Sequence, residues 1–161
     1  MDDLYEPGRQ IAYSPPDEGP GNDLRQDTLL FSVGSPANGD RQTTVVSVRG
    51  EIDLGTAPGL REVLLPRIER CNGPVVIDLS QVRFMDSSGV HVLVDIYQRL
   101  EAHNRRLAVV CREHGQVHRL LALVGLLDLL IVRHSRASAL SGVTAPAHRS
   151  GVHRLRPWAT E

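Results

Sequence analysis

The sequence predicts an α/β fold: a mixed, mostly parallel sheet of four to five strands with helices packed on it, flanked by disordered tails. Three observations predict it. Between residues 28 and 136, β-branched segments alternate with segments of helical periodicity. One run, Val75–Leu79, is apolar at consecutive positions apart from Asp78 rather than alternating, as in a strand covered on both faces. Both chain ends lack apolar periodicity. Residues 1–27 are rich in Pro, Gly, Asp and Asn and read as an acidic tail, and residues 137–161 mix Ser, Ala, Gly and Pro with scattered Arg and His.

The elements follow in order. Thr28–Val33 and Thr43–Arg49 are β-rich and separated by a loop with Pro36, Asn38 and Gly39, so they form a hairpin-like pair. Gly50 to Asp53 ends the second strand. Thr56 is placed to cap a helix whose first turn holds Pro58 and whose apolar positions are Leu60, Val63 and Leu64. Pro66 falls where that helix should still run, which predicts a kink or an early break. Val75–Leu79 is the central strand. Ser87–His103 is a helix with Val90, Leu93, Val94, Tyr97 and Leu100 on its apolar stripe. Leu107–Cys111 is a strand and His114–Leu123 a helix with Val117, Leu120 and Leu121 inward, ended by Gly125. Leu129–Arg133 is the last strand, and Ser135–Leu140 begins a short helix at the head of the C-terminal tail. The folded domain is expected over residues 28–136.

Composition narrows the function. The chain has 161 residues, a net charge of −1 and 41% hydrophobic residues, which gives a core but no charge bias toward nucleic acid or an anionic membrane. All 18 basic residues are arginine. A phosphate-binding loop of the Gly-Lys type and a Schiff-base lysine are therefore excluded. The longest apolar run, Leu120–Val132, contains Gly125 and Asp128 and is too short to span a bilayer. The N-terminus, with Asp2, Asp3 and Glu6, does not read as a signal peptide, so a cytoplasmic protein is expected. Cys71 and Cys111 are expected as free thiols near opposite ends of neighbouring strands.

The stretch with most chemical content is Asp86-Ser87-Ser88-Gly89, between the central strand and its helix. It puts two hydroxyls at the positive end of a helix dipole, where a phosphate is tolerated. Asp86 or Ser87 also serves as an ordinary cap. Met85 stands where a nucleophile elbow requires glycine, and no histidine lies in a recognisable catalytic context. His114 and His118 are spaced as a metal pair without visible further ligands, so no metal is expected. His91 and Asp95 share that spacing on the outward face of their helix and are read as a weak pair.

The run VVIDLSQVRFMDSSG, the upstream GEID and the later ALVGLLDLLIV together resemble the STAS domain of bacterial anti-sigma factor antagonists. The resemblance covers roughly residues 28–136. It implies that a serine kinase, itself the anti-sigma factor, phosphorylates Ser87, with Ser88 as the second candidate. It implies a serine phosphatase that resets the switch, no cofactor, no direct contact with nucleic acid or membrane, and no enzymatic activity of the chain itself. The docking surface it implies comprises Glu51, Asp53, Asp86, Ser87, Ser88, Gly89 and His91. The chain departs from the family at His91, where a small residue is common, at Pro66, and in its long N-terminal tail. Two other readings stand beside this one: a nucleotide-responsive STAS module, although no glycine-rich cradle is visible, and a small hydrolase using Ser87 or Ser88 with His91 as base.

Overall fold

The computed structural model of the chain describes residues 10–13, 29–34 and 42–145. They form six strands and four helices: β1 (Gln10–Tyr13), β2 (Leu29–Gly34), β3 (Thr44–Ile52), α1 (Ala57–Arg70), β4 (Val75–Met85), α2 (Ser87–Ala102), β5 (Leu107–Val110), α3 (Gln116–Leu123), β6 (Ile131–Arg133) and α4 (Arg136–Thr144). The strands lie in chain order across one sheet. β1, β2 and β3 pair antiparallel, and β3 through β6 pair parallel. The mixed, mainly parallel α/β architecture is the one the sequence predicts.

Alternate residues of the central strands feed two apolar layers. Val75 and Ile77 of β4 and Leu107 and Val109 of β5 join the main core beneath α1, α2 and α3. Val76, Ala108 and Val110 face the other way and meet Ala139 and Val143 of α4. On that second face Asp78 is only 4% exposed. It accepts a hydrogen bond from the Ser80 amide at 2.9 Å and pairs with Arg136, which also donates to Ser47 Oγ at 2.7 Å. Desolvation raises the Asp78 pKa, but the bonds from Ser80 and Arg136 outweigh it and hold the carboxyl below its ordinary value. Arg136 thus ties the start of α4 to the middle of the sheet.

Several expectations need correction. β1 is a strand beyond the expected five and lies inside the stretch read as an acidic tail. Its Ile11 and Tyr13 pack against the main core, a long-range contact that composition does not register. The rest of the expected N-terminal tail, and residues 146–161 of the C-terminal one, lie outside the described residues. α4 runs on to Thr144 and buries Ala139 and Val143, so residues 137–144 join the fold rather than a tail. β4 continues to Met85, six residues past the predicted end, because register shifts against β3 break the apolar pattern over Ser80–Arg83 while pairing continues.

α1 also runs uninterrupted through Pro66. Leu64, Leu65 and Ile68 around it are at most 8% exposed. Each such burial contributes about 1.5–3 kcal/mol. Together they outweigh the roughly 3 kcal/mol cost of an interior proline, whose own ring faces solvent. α2 buries Val92 and Ile96 in addition to Val90, Leu93 and Leu100, since it must cover both the sheet and α1. Val94 and Tyr97, expected on the stripe, are half-buried at its edge. His114 lies before α3 with a φ of 57°, so the predicted helix start moves to Gln116. Cys71 follows α1 and Cys111 follows β5, at opposite ends of the parallel strands; burial pushes the Cys111 thiol up to about 11.

Candidate functional site

The parallel pairing of β3 and β4 brings two helix starts side by side. Ile52 and Met85 are register partners at the strand ends. The Asp86 amide then donates to the Ile52 carbonyl at 3.0 Å, extending the ladder by one bond. α1 and α2 therefore begin at the same edge of the sheet, and their first turns share one surface.

The start of α2 is built on Asp86. Its backbone is extended, and its side chain accepts the Ser88 amide at 2.7 Å, so Asp86 rather than Ser87 is the cap. Ser87 is the first helical residue and its side chain is exposed; Ser88 is half-buried. Gly89 is buried. A Cβ there would lie 2.4 Å from Met85 Cγ and 2.9 Å from Ile52 Cγ2. Gly89, named in the implied docking surface, is thereby what lets α2 sit down on the strand ends.

The start of α1 is built on Asp53. Its Oδ1 accepts the Gly55 amide at 2.9 Å and the Thr56 amide at 3.0 Å, and lies 3.1 Å from the Thr56 hydroxyl. The Asp53 amide donates back to Thr56 Oγ1 at 3.0 Å, and that hydroxyl also lies 2.9 Å from the Glu51 carbonyl. Thr56 is 1% exposed and makes no capping bond of its own. Thr56 stands at the expected cap position, but its hydroxyl closes an aspartate turn instead of capping the helix. Glu51 and Asp53 are half-buried at the surface of this turn.

Three features of the surface escape the sequence reading. Gln116 of α3 donates through Nε2 to the Met85 carbonyl at 2.7 Å and accepts the Met85 amide at 2.9 Å. It stands in for a strand neighbour where β5 has already ended. A glutamine on a helix carries no sequence signal for that role. Leu54 and Phe84, 77% and 42% exposed, are large apolar side chains open to solvent at the ends of β3 and β4. Between α1 and α2 runs a groove of about 650 Å³, whose lining includes Leu54, Pro58, Leu65, Ser88, His91 and Val92. Its sides are tied by Arg61 to Asp95 at 2.6 Å and by Arg99 to Glu69. The sequence pairing of His91 with Asp95 is thereby corrected: Asp95 belongs to Arg61, and the exposed His91 side chain makes no hydrogen bond among the described residues.

Among the described residues no histidine is hydrogen-bonded to the Ser87 or Ser88 side chain. The rings of His114, His118 and His134 stand 5.9 and 5.6 Å apart in sequence order. Among the described residues no three His, Cys, Asp or Glu side chains are grouped to hold a metal. No described helix is long and apolar enough to cross a membrane.

Comparison with known proteins places this geometry. The sequence profile of the STAS domain matches residues 36–139. The anti-sigma-B factor antagonist of Staphylococcus epidermidis is 33% identical over 87 residues, 54% of this chain and 80% of that protein. The crystal structure of an anti-sigma factor antagonist from Mycobacterium paratuberculosis superimposes with a TM-score of 0.62 at 30% identity, over 71% of this chain and 93% of that one. The fold is also that of the anti-sigma factor antagonist SpoIIAA in its unphosphorylated form, with a TM-score of 0.58 at 22% identity, over 70% of this chain and 95% of that one. With the profile spanning most of the described fold and the paired helix starts in place, this chain belongs to the STAS domain family.

Proposed function

We propose that this protein is an anti-sigma factor antagonist whose docking is switched by phosphorylation of Ser87. In its unphosphorylated form it binds a serine-kinase-type anti-sigma factor in the cytoplasm and so frees the sigma factor. The kinase transfers a phosphoryl group to Ser87 Oγ, and a serine phosphatase removes it. The acting unit is the folded domain, residues 28–136 as read from the sequence, extended by β1 and α4; the protein is substrate and ligand, not catalyst. One observation carries the reading: Ser87 is exposed at the first position of α2, beside the Asp53 turn. The names of the relatives support the partner class.

The docking surface on this reading comprises Glu51, Asp53, Asp86, Ser87, Ser88 and His91, with Leu54 and Phe84 as its apolar contacts. Phosphorylation adds a charge of about −1.5 to −2. The amino end of α2 accommodates it, since anions there gain about 0.3–1 kcal/mol. The docked complex does not, because the dianion arrives between Asp53, Asp86 and a desolvating partner. A penalty of about 4 kcal/mol turns a micromolar complex into a millimolar one.

The test uses the purified kinase partner with wild-type protein, Ser87→Ala and Ser88→Ala. We expect labelling of wild type and Ser88→Ala and none of Ser87→Ala, with Ser87→Ala retaining its partner in the presence of ATP. Continued labelling of Ser87→Ala excludes Ser87 as the site.

A further inference from the structure

Resting on that reading of Ser87, we propose that His91 is a built-in counter-charge that holds the phosphate of phosphorylated Ser87 against the protein's own surface. His91 follows Ser87 by four residues on α2, and both are exposed. Side chains on a helix lean toward its amino end, so an imidazole at 91 can reach back toward the turn that carries Ser87. Their Cβ atoms are about 5–6 Å apart at this spacing. That is within reach of an imidazole N–H donating to a phosphate oxygen, since the phosphoserine side chain adds length of its own.

The surroundings leave His91 available for this. The charged groups facing it are Arg61 and Glu62 from α1 and Asp95 one turn on along α2, all lining the same groove. Asp86 at the cap and Asp53 in the neighbouring turn complete the set. Arg61 is engaged by Asp95, and Arg99 further along the groove by Glu69. Asp86 is engaged by the Ser88 amide and Asp53 by its own turn. Among the described residues lining the groove, His91 is the group able to carry positive charge that has no carboxylate partner. A protonated imidazole at 91 is attracted to a dianion one helical turn away. The phosphate is then drawn down along α2 instead of projecting into solvent, and its retention depends on pH in the physiological range.

The experiment is a phosphorus NMR titration of the full chain with phosphoserine at position 87, incorporated during translation so that no kinase is needed. Wild type, His91→Gln and His91→Lys are compared. Free phosphoserine passes its second ionisation near pH 6. We expect the midpoint in wild type to lie about half a pH unit below that of His91→Gln, and His91→Lys to be at least as low as wild type. Equal midpoints in wild type and His91→Gln overturn the proposal. Failure of the switch itself would appear separately, as phosphorylated protein that still captures the anti-sigma factor.

Discussion

The two helix starts at the edge of the sheet use the same materials to opposite ends. Each follows one of two paired parallel strands, and each is organised by an aspartate that accepts backbone amides. At α1 the hydroxyl that follows, Thr56, is 1% exposed and consumed by the turn itself. At α2 the hydroxyl that follows, Ser87, is exposed and takes no part in the cap. The spacing accounts for the difference. Asp53 lies three residues before Thr56, and the chain folds back over that interval to close a turn around the hydroxyl. Asp86 lies directly before Ser87, so the helix begins at once and its first side chain points outward. One start is a fixture of the fold, and the other leaves a hydroxyl free for chemistry.

The largest effect expected from this contrast is on placing a carboxylate at each hydroxyl. Thr56→Asp buries a second carboxylate against Asp53 and should cost about 3–5 kcal/mol in urea unfolding. Ser87→Asp should change stability by less than about 0.5 kcal/mol, since the charge meets solvent and a favourable dipole. Equal losses at the two positions would remove the distinction between them. Next is the glycine that seats α2. Gly89→Ala gains about 1 kcal/mol of helix preference but forces Met85 and Ile52 apart, for a net loss of about 1–2 kcal/mol by the same assay. A smaller difference separates the two caps. Asp53→Ala, losing two amide bonds and a hydroxyl contact, should cost about 2 kcal/mol, and Asp86→Ala, losing one amide bond, about 1 kcal/mol. Thermal melts of the two alanine variants side by side give their order directly, and the reverse order would mean that the hydrogen-bond pattern misstates which turn is more tightly held.

Much of this surface was legible in the chain. Asp-Ser-Ser-Gly between an apolar strand and an amphipathic helix marks the helix start and its exposed hydroxyl, because both are local consequences of backbone geometry; the choice of Asp86 over Ser87 as cap and the seating of Gly89 against Ile52 were not legible there. The order of strands and helices was legible for the same reason. What escaped depends on contacts between segments far apart in sequence. Four residues of β1 earn their place from β2 and from a core formed much later in the chain. Pro66 survives because distant partners bury the leucines beside it. Asp95 looks like a partner for His91 until α1 brings Arg61 across. The far end of β4 was missed because its pairing with β3 passes through shifted register, which an alternation pattern does not reveal.

Gln116 has a consequence for when the Asp86 helix start is complete. Its amide grips Met85 from 31 residues downstream, so the residue preceding the Asp86 cap is fully bonded only after α3 has been made and has docked. A chain still emerging from the ribosome, or one cut before residue 116, offers the Asp-Ser-Ser sequence without its finished frame. On the proposed function, a kinase that reads the framed serine rather than the bare peptide would thereby spare immature copies and mark only molecules whose assembly is complete.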